Sequence, residues 1–148
     1  MHGTTSGMSL SRYRVIDFGT ALAGGQPGQM LADMGAEVIK VESRQHLDGF
    51  RVGNPGKGEA NPEERRPSFH SVGRNKLDVT LDITQTGTRA LLGKLVEESD
   101  AVFENFAPGV LARAGLDYAS LRRFNPHLVM VSLSSAGQHG PLSDMVVY

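Results

Sequence analysis

Short apolar runs that are rich in β-branched residues recur along the chain, each followed by small or polar residues. Runs of this length and composition are typical of strands buried in the middle of a sheet. The pattern therefore predicts five strands, which are 13–18, 37–42, 76–83, 100–106 and 127–134.

Segments between these runs carry apolar residues at helical spacing, which predicts amphipathic helices. Gly35 is expected to end the first helix, and Asp117 to cap the start of the last. The predicted helices are 26–34, 86–99, 109–116 and 117–125. The apolar stripe of the longest one consists of Leu91, Leu92, Leu95 and Val96.

Strands and helices alternate along the chain, and this order predicts an α/β fold with a mostly parallel sheet. The first β-α-β unit has a short crossover, which implies parallel strands with right-handed winding. Segment 43–70 is rich in glycine, proline and charge, so it is expected to be a long irregular excursion. Residues 1–12 form a polar leader that we expect to be flexible.

Composition narrows the function classes only a little. The chain has 148 residues with a formal net charge of -1, so no basic excess points to nucleic acid or to a membrane surface. It contains no cysteine, which excludes disulfides and suits a reducing compartment. The interpretation is a cytoplasmic protein with one domain over 13–148.

Four loops should meet beyond the carboxyl ends of the parallel strands, where such sheets bind ligands. Neither G-x-G-x-x-G nor a Walker A motif occurs, which disfavours NAD and ATP, and the five histidines lack metal-ligand spacing. Arg113 follows one of these loops. From the residues alone it is either a solvated surface charge or a partner for a phosphate group. The loops are 19–25, 43–45, 104–109 and 132–138.

Several stretches together resemble the N-terminal part of a family III CoA-transferase. They occur in the family's order and cover essentially the whole chain beyond the leader. They read VIDFGTALAGG, GQMLADMGAEVIKVE, RNKLDVTLDI, ENFAPGVLARAGL and SLSSAGQHGP. The resemblance implies a Rossmann-like domain with helices on both faces of the sheet, in a dimer of two interlocked chains. It also implies transfer of coenzyme A between carboxylic acids, with acyl-CoA as substrate and no metal.

The resemblance also places contacts to coenzyme A on particular residues of this chain. Arg44 stands one place beyond the position where the family commonly has a basic residue. Leu22 replaces the glutamine of the formyl and oxalate subgroup, which disfavours that substrate pair. The expected CoA-binding residues are Ala21, Leu22, Ala23, Arg44, Leu81, Asn105, Phe106, Arg113 and Tyr148.

Family catalysis uses an aspartate nucleophile that forms an acyl anhydride and then a thioester with coenzyme A. None of the aspartates of this chain aligns with it, so we expect no catalytic residue here and a domain that is incomplete at its C-terminus. The chain would then be a fragment or be completed by a second chain, and the expected assembly is a homodimer or such a pair of chains. Two alternatives stay open, a 2-methylacyl-CoA racemase and a non-catalytic CoA-binding module. A racemase would need a histidine base where Tyr148 stands.

Overall fold

The sheet has its strands where the apolar runs predicted them, although most are shorter at their ends. The structure, a computed structural model, describes residues 7–52, 60–143 and 145. Its strands are β1 Arg14–Asp17, β2 Glu37–Glu42, β3 Leu77–Thr80, β4 Ala101–Glu104 and β5 Val129–Ser132. Its helices are α1 Ala21–Asp33, α2 Pro67–Gly73, α3 Thr88–Glu97, α4 Val110–Arg113 and α5 Tyr118–Leu121.

All neighbouring strands of the sheet run parallel, in the order β3-β2-β1-β4-β5. The register pairs Ile16 of β1 with Ile39 on one side and with Val102 on the other. The chain therefore starts in the middle of the sheet, moves outward to one edge and then returns to build the other half. This order confirms the predicted α/β class and its Rossmann-like arrangement.

Helices cover both faces of the sheet. Successive side chains of a central strand point to opposite sides, so neighbouring residues of β1 contact helices on different faces. Val15 packs with Ala32 of α1, whereas Ile16 packs with Leu92 and Val96 of α3. Leu92 is fully buried, and burial of a side chain of this size stabilises the fold by about 1.5–3 kcal/mol. Leu91, predicted to share this apolar stripe, is instead half exposed at the edge of the helix face.

Helix α1 begins at Ala21 rather than at residue 26, and its early glycines lie inside the helix. A Cβ on Gly24 would lie 2.4 Å from Asn105 Oδ1, and one on Gly25 would lie 2.7 Å from a methyl group of Val72. These glycines therefore permit close packing of the helix rather than a turn. Gly35 follows the helix with a φ of +102°, as expected for a residue that ends it.

The segment predicted to be irregular over 43–70 contains regular structure at its end. A 3₁₀ turn covers Pro62–Arg65, and α2 starts at Pro67, a residue that suits the first helical turn. Phe69 and Val72 of α2 are buried, and α2 packs against α1. The cap of α5 is as predicted, because Asp117 accepts a hydrogen bond from the Ser120 N–H at 2.8 Å.

Candidate functional site

The order of the strands creates a switch point between β1 and β4. The chain leaves β1 toward α1 on one face of the sheet and leaves β4 toward α4 on the other face. Two loops that diverge in this way open a crevice beyond the carboxyl ends of the strands, which is where doubly wound sheets bind ligands. Both loops belong to the four that were predicted to meet there.

Asn105 joins the two loops at this switch point. Its Oδ1 accepts the Thr20 N–H at 2.8 Å, and its Nδ2 donates to the Thr20 carbonyl at 3.1 Å. Gly24 leaves room for the amide, since any Cβ there would collide with it. The predicted CoA-binding residue Asn105 therefore also holds the loop after β1 in place.

The backbone of the loop after β1 is hydrogen-bonded to side chains at three consecutive residues. The Gly19 N–H donates to Asp17 Oδ1 at 2.7 Å, the Thr20 N–H donates to Asn105, and the Ala21 N–H donates to Asp48 Oδ1 at 3.0 Å. A dinucleotide-binding loop presents such N–H groups to a pyrophosphate. Here protein oxygens already occupy them, in agreement with the missing glycine fingerprint.

Two buried lysines sit beneath this loop and are each paired with an aspartate. Lys76 Nζ lies 2.6 Å from Asp17 Oδ2 and donates to the Gly25 carbonyl at 2.8 Å. Lys40 Nζ lies 3.0 Å from Asp48 Oδ2 and donates to the Gly19 carbonyl at 2.7 Å. Both ammonium groups are therefore already engaged by the protein.

A largely apolar cleft of about 260 Å³ lies beside the loop, between the ends of β1, β2 and β3 and the start of α4. It brings together Leu81 and Phe106, two of the predicted CoA-binding residues. Apolar clefts with a few polar groups at the rim are typical of small-molecule sites. The apolar lining consists of Phe18, Val41, Leu81, Ile83, Phe106 and Val110. The polar rim consists of Thr20, Lys40, Glu42, Ser43, His46, Asp82 and Thr84.

The carboxylate of Asp82 keeps its negative charge at this rim. A hydrogen bond from the Thr84 hydroxyl at 2.7 Å, followed by one from the Thr84 N–H at 2.9 Å, lowers the pKa of the Asp82 carboxyl. The nearby His46 ring contributes in the same direction. A phosphate group would be repelled here, so the cleft itself suits an uncharged part of a ligand.

The other predicted contacts surround the cleft. Ala21, Leu22 and Ala23 form the first turn of α1 directly after Thr20, and Leu22 is 56% exposed. Arg113 is an exposed residue one turn along α4 from Val110, and it forms no ion pair with any residue that the structure describes.

Arg44 belongs to a second, polar cleft of about 440 Å³ that also contains Arg51, Glu63 and Asp78. Burial, followed by the charge of Glu42, raises the pKa of the Asp78 carboxyl. The structure therefore places Arg44 beside the apolar cleft rather than in it. Tyr148, the last predicted contact, lies outside the described residues.

Sequence reasoning missed Lys40 and Asp48. A lysine in the middle of the apolar run EVIKVE is a usable signal, because lysine is almost never fully buried unless it is paired. Asp48 follows in an irregular segment where aspartate is a common turn residue, so its pattern carried no comparable signal.

Within residues 7–52 and 60–143, no three histidine or acidic side chains lie close enough together to hold a metal ion. No helix in the described part of the chain combines the length and the apolar character needed to cross a membrane.

The switch-point cleft and the parallel sheet define the class, a Rossmann-like α/β domain of the kind that holds ligands beyond the carboxyl edge of its strands. Comparison with protein families identifies the family to which this domain belongs. The chain belongs to CoA-transferase family III, whose model matches residues 10–148.

Several relatives of the chain are CoA-transferases by name. Over 146 residues, 99% of this chain, the sequence is 41% identical to a probable CoA-transferase, Rv1866, of Mycobacterium tuberculosis. It is 42% identical over 141 residues, 94% of this chain, to the succinate–glutarate CoA-transferase of Agrobacterium fabrum. The chain covers only 18% of the first protein and 35% of the second.

The fold is shared with solved structures of the family. A CaiB/BaiF family protein from Brucella suis superposes with a TM-score of 0.81 at 37% identity. The match covers 95% of this chain and 37% of the Brucella protein. The chain thus spans about a third or less of the length of these relatives.

Proposed function

We propose that this chain is the CoA-binding portion of an acyl-CoA:carboxylate CoA-transferase. The observation that carries the proposal is the apolar cleft at the switch point, which joins Leu81 to Phe106 in a chain of this family. Coenzyme A is a long ligand with an aromatic base, an uncharged pantetheine arm and several phosphates. A site for it therefore needs an apolar cleft with cationic groups next to it.

The surroundings of the cleft meet this requirement. The ring of Phe106 and the side chain of Leu81 can pack against the base or the pantetheine arm. Arg113 is an exposed cation one turn along α4 from Val110 of the cleft. Arg44 is an exposed cation of the adjoining polar cleft, while Asp82 keeps phosphates away from the apolar cleft itself. We therefore assign the phosphates to the arginines and the uncharged part to the cleft.

The aspartate nucleophile is proposed to come from polypeptide that this chain does not contain. Among the described aspartates, Asp17 and Asp48 are buried in ion pairs with lysines, Asp33 pairs with Arg74, and Asp82 is held by Thr84. Such structural bonds leave a carboxylate poorly placed to attack a thioester. In the proposed reaction the missing carboxylate attacks the acyl-CoA thioester, forms an anhydride and releases the thiolate of coenzyme A. The thiolate then attacks the enzyme carbonyl of the anhydride, which releases the donor acid and leaves coenzyme A as a thioester on the carboxylate. The acceptor acid attacks this thioester and, through a second anhydride, leaves as its coenzyme A thioester.

The polypeptide that supplies this aspartate is proposed to be either a further part of the same protein or a second chain, and the assembly is proposed to be a dimer. Strand β5 lies at an edge of the described sheet, and its side chains Val129 and Val131 are 57% and 45% exposed. An exposed apolar edge strand is a ready surface for further strands or helices. Two relatives are named as the alpha and beta subunits of a succinyl-CoA–L-malate CoA-transferase, which supports an assembly of two chains.

Calorimetric titration of coenzyme A into the chain tests the proposal. We expect Arg113→Ala to weaken binding about 10- to 100-fold, because a hydrogen bond to a charged group contributes about 1.5–3 kcal/mol. Arg123→Ala is the matched control, because Arg123 is an exposed arginine in the turn after α5, and it should leave the affinity unchanged. Absence of binding by the unmodified chain would contradict the proposal.

A further inference from the structure

Asp48 is a buried carboxylate with a partner for each oxygen, and it lies outside the predicted contacts. Its Oδ1 accepts the N–H groups of Ala21 at 3.0 Å and Phe50 at 2.8 Å, and its Oδ2 pairs with Lys40. The side chain is fully buried and that of Lys40 is 4% exposed. Its own N–H donates to Glu42 at 2.7 Å.

Residues close to Asp48 in the chain hold it in place. Glu42 and Phe50 hold its backbone and carboxylate, and Arg51 pairs with Glu42 while stacking 3.5 Å from the centre of the Phe69 ring. The carboxylate is therefore a fixed acceptor to which the Ala21 N–H is attached. Lys40 completes the arrangement, because its ammonium binds both Asp48 and the Gly19 carbonyl.

A buried ion pair contributes little net stability compared with well-packed apolar residues. The ion pair instead fixes the position of the loop backbone. Asn105 binds the backbone of Thr20, while Lys40 and Asp48 bind the residues on either side of it, Gly19 and Ala21. Ala21 has a φ of +52°, a left-handed conformation that a residue with a side chain adopts only when its surroundings impose it. The bond from Ala21 to Asp48 supplies such a constraint.

We propose that Asp48, held by Lys40, is a positioning residue that sets the first turn of α1 for ligand binding. The inference rests on the proposed function, in which Ala21 and Leu22 contact coenzyme A. Removal of the group that orients a ligand-binding residue weakens binding by about 10- to 100-fold at well-studied metal sites. We expect a loss of at least about tenfold for coenzyme A here.

The test compares two double variants that differ only at residue 48. Lys40→Met with Asp48→Asn removes both buried charges and keeps an oxygen for the Ala21 N–H. Lys40→Met with Asp48→Ala removes that oxygen as well. Calorimetry should show the alanine variant binding coenzyme A at least about tenfold more weakly than the asparagine variant. Equal affinities would overturn the proposal.

Asn125→Ala controls for a general loss of stability. Asn125 Nδ2 donates to the Ser99 carbonyl at 2.7 Å, in the segment between α3 and β4, and lines neither cleft. We expect this variant to unfold at lower temperature while its affinity for coenzyme A stays unchanged. A parallel fall in affinity would show that the Asp48 effect is only structural.

Amide hydrogen exchange on the unmodified chain decides the positioning role independently of ligand binding. The Ala21 amide should exchange slowly in the free protein, because Asp48 accepts its hydrogen. Exchange at the rate of an exposed amide would overturn the proposal, even if the alanine variant does not fold. Failure of the unmodified chain to bind coenzyme A would instead contradict the proposed function, and the exchange rate would still test Asp48.

Discussion

Single residues around the loop after β1 carry constraints that composition does not reveal. Ala21 occupies a left-handed conformation, Asp48 and Lys40 are buried as an ion pair, and Asn105 bridges two loops. The side chains of Asp48, Lys40 and Asn105 form hydrogen bonds with the backbone of the loop after β1. The geometry of the site therefore depends on residues that do not line the ligand cleft as well as on those that do.

Ala21→Gly tests whether the loop stores strain. A left-handed conformation destabilises a residue with a Cβ by about 1–2 kcal/mol. Glycine avoids this strain, but it lowers stability by about 0.4–1 kcal/mol because it gives the unfolded chain more conformational entropy. We expect a gain in the free energy of unfolding of up to about 1 kcal/mol from urea titration. Ala21→Val should instead destabilise the chain, because a branched side chain tolerates this conformation least. A lower stability for the glycine variant would contradict the assignment.

Asp33 gives the chain a pH dependence that can be measured. A hydrogen bond from Arg74, followed by one from Asn75, lowers the pKa of the Asp33 carboxyl below its ordinary value of 3.8. The stabilisation is therefore complete above that value and is lost as the pH falls through the lower, folded-state pKa.

Urea titrations between pH 2 and pH 7 should show Arg74→Ala less stable than the unmodified chain at neutral pH. The gap should close as Asp33 becomes protonated in acid. Arg89→Ala is the control, since Arg89 forms no ion pair within the described residues. If the difference in free energy of unfolding between Arg74→Ala and the unmodified chain stays constant with pH, the stabilising role of the Arg74–Asp33 ion pair is contradicted.

Secondary-structure elements were predictable where hydrophobic periodicity decides the structure. The strand runs and the helix at Thr88–Glu97 follow directly from it, because the central strands β1, β2 and β4 are largely buried. The start of α1 was not predictable in this way. Its glycines look like turn residues in sequence, and only the neighbouring Asn105 and Val72 show why they are in a helix.

Gly24→Ala and Gly87→Ala compare a glycine that close packing requires with one that has open space around it. A Cβ on Gly24 would meet Asn105 at 2.4 Å and the Gly19 backbone at 2.7 Å, so we expect a loss of about 1–3 kcal/mol. Gly87 precedes α3 with a φ of -70° and open space around it, so its replacement should stabilise by up to about 1 kcal/mol. Urea titration measures both. Equal effects would contradict the packing role of Gly24.

The whole molecule brings the ends of distant segments to one edge of the sheet. The motifs allowed the family to be predicted, because their order along the chain matches the family's order. The contacts of individual residues to coenzyme A stay a prediction. The motifs could not show that Leu81 and Phe106 share a cleft while Arg44 lies in another, since that depends on strand order and loop course. The exposed face of β5 likewise follows from the sheet and not from the apolar run.

Mapping of the ligand by nuclear magnetic resonance tests the central claim, that this chain binds coenzyme A at its switch point. Titration of coenzyme A should shift the backbone amides of 19–23, 43–46, 81–84, 105–107 and 109–113. The amides of 31–36, which run from the end of α1 to the start of β2, should stay unchanged. Shifts concentrated in 31–36, or no shifts at millimolar coenzyme A, would contradict the account.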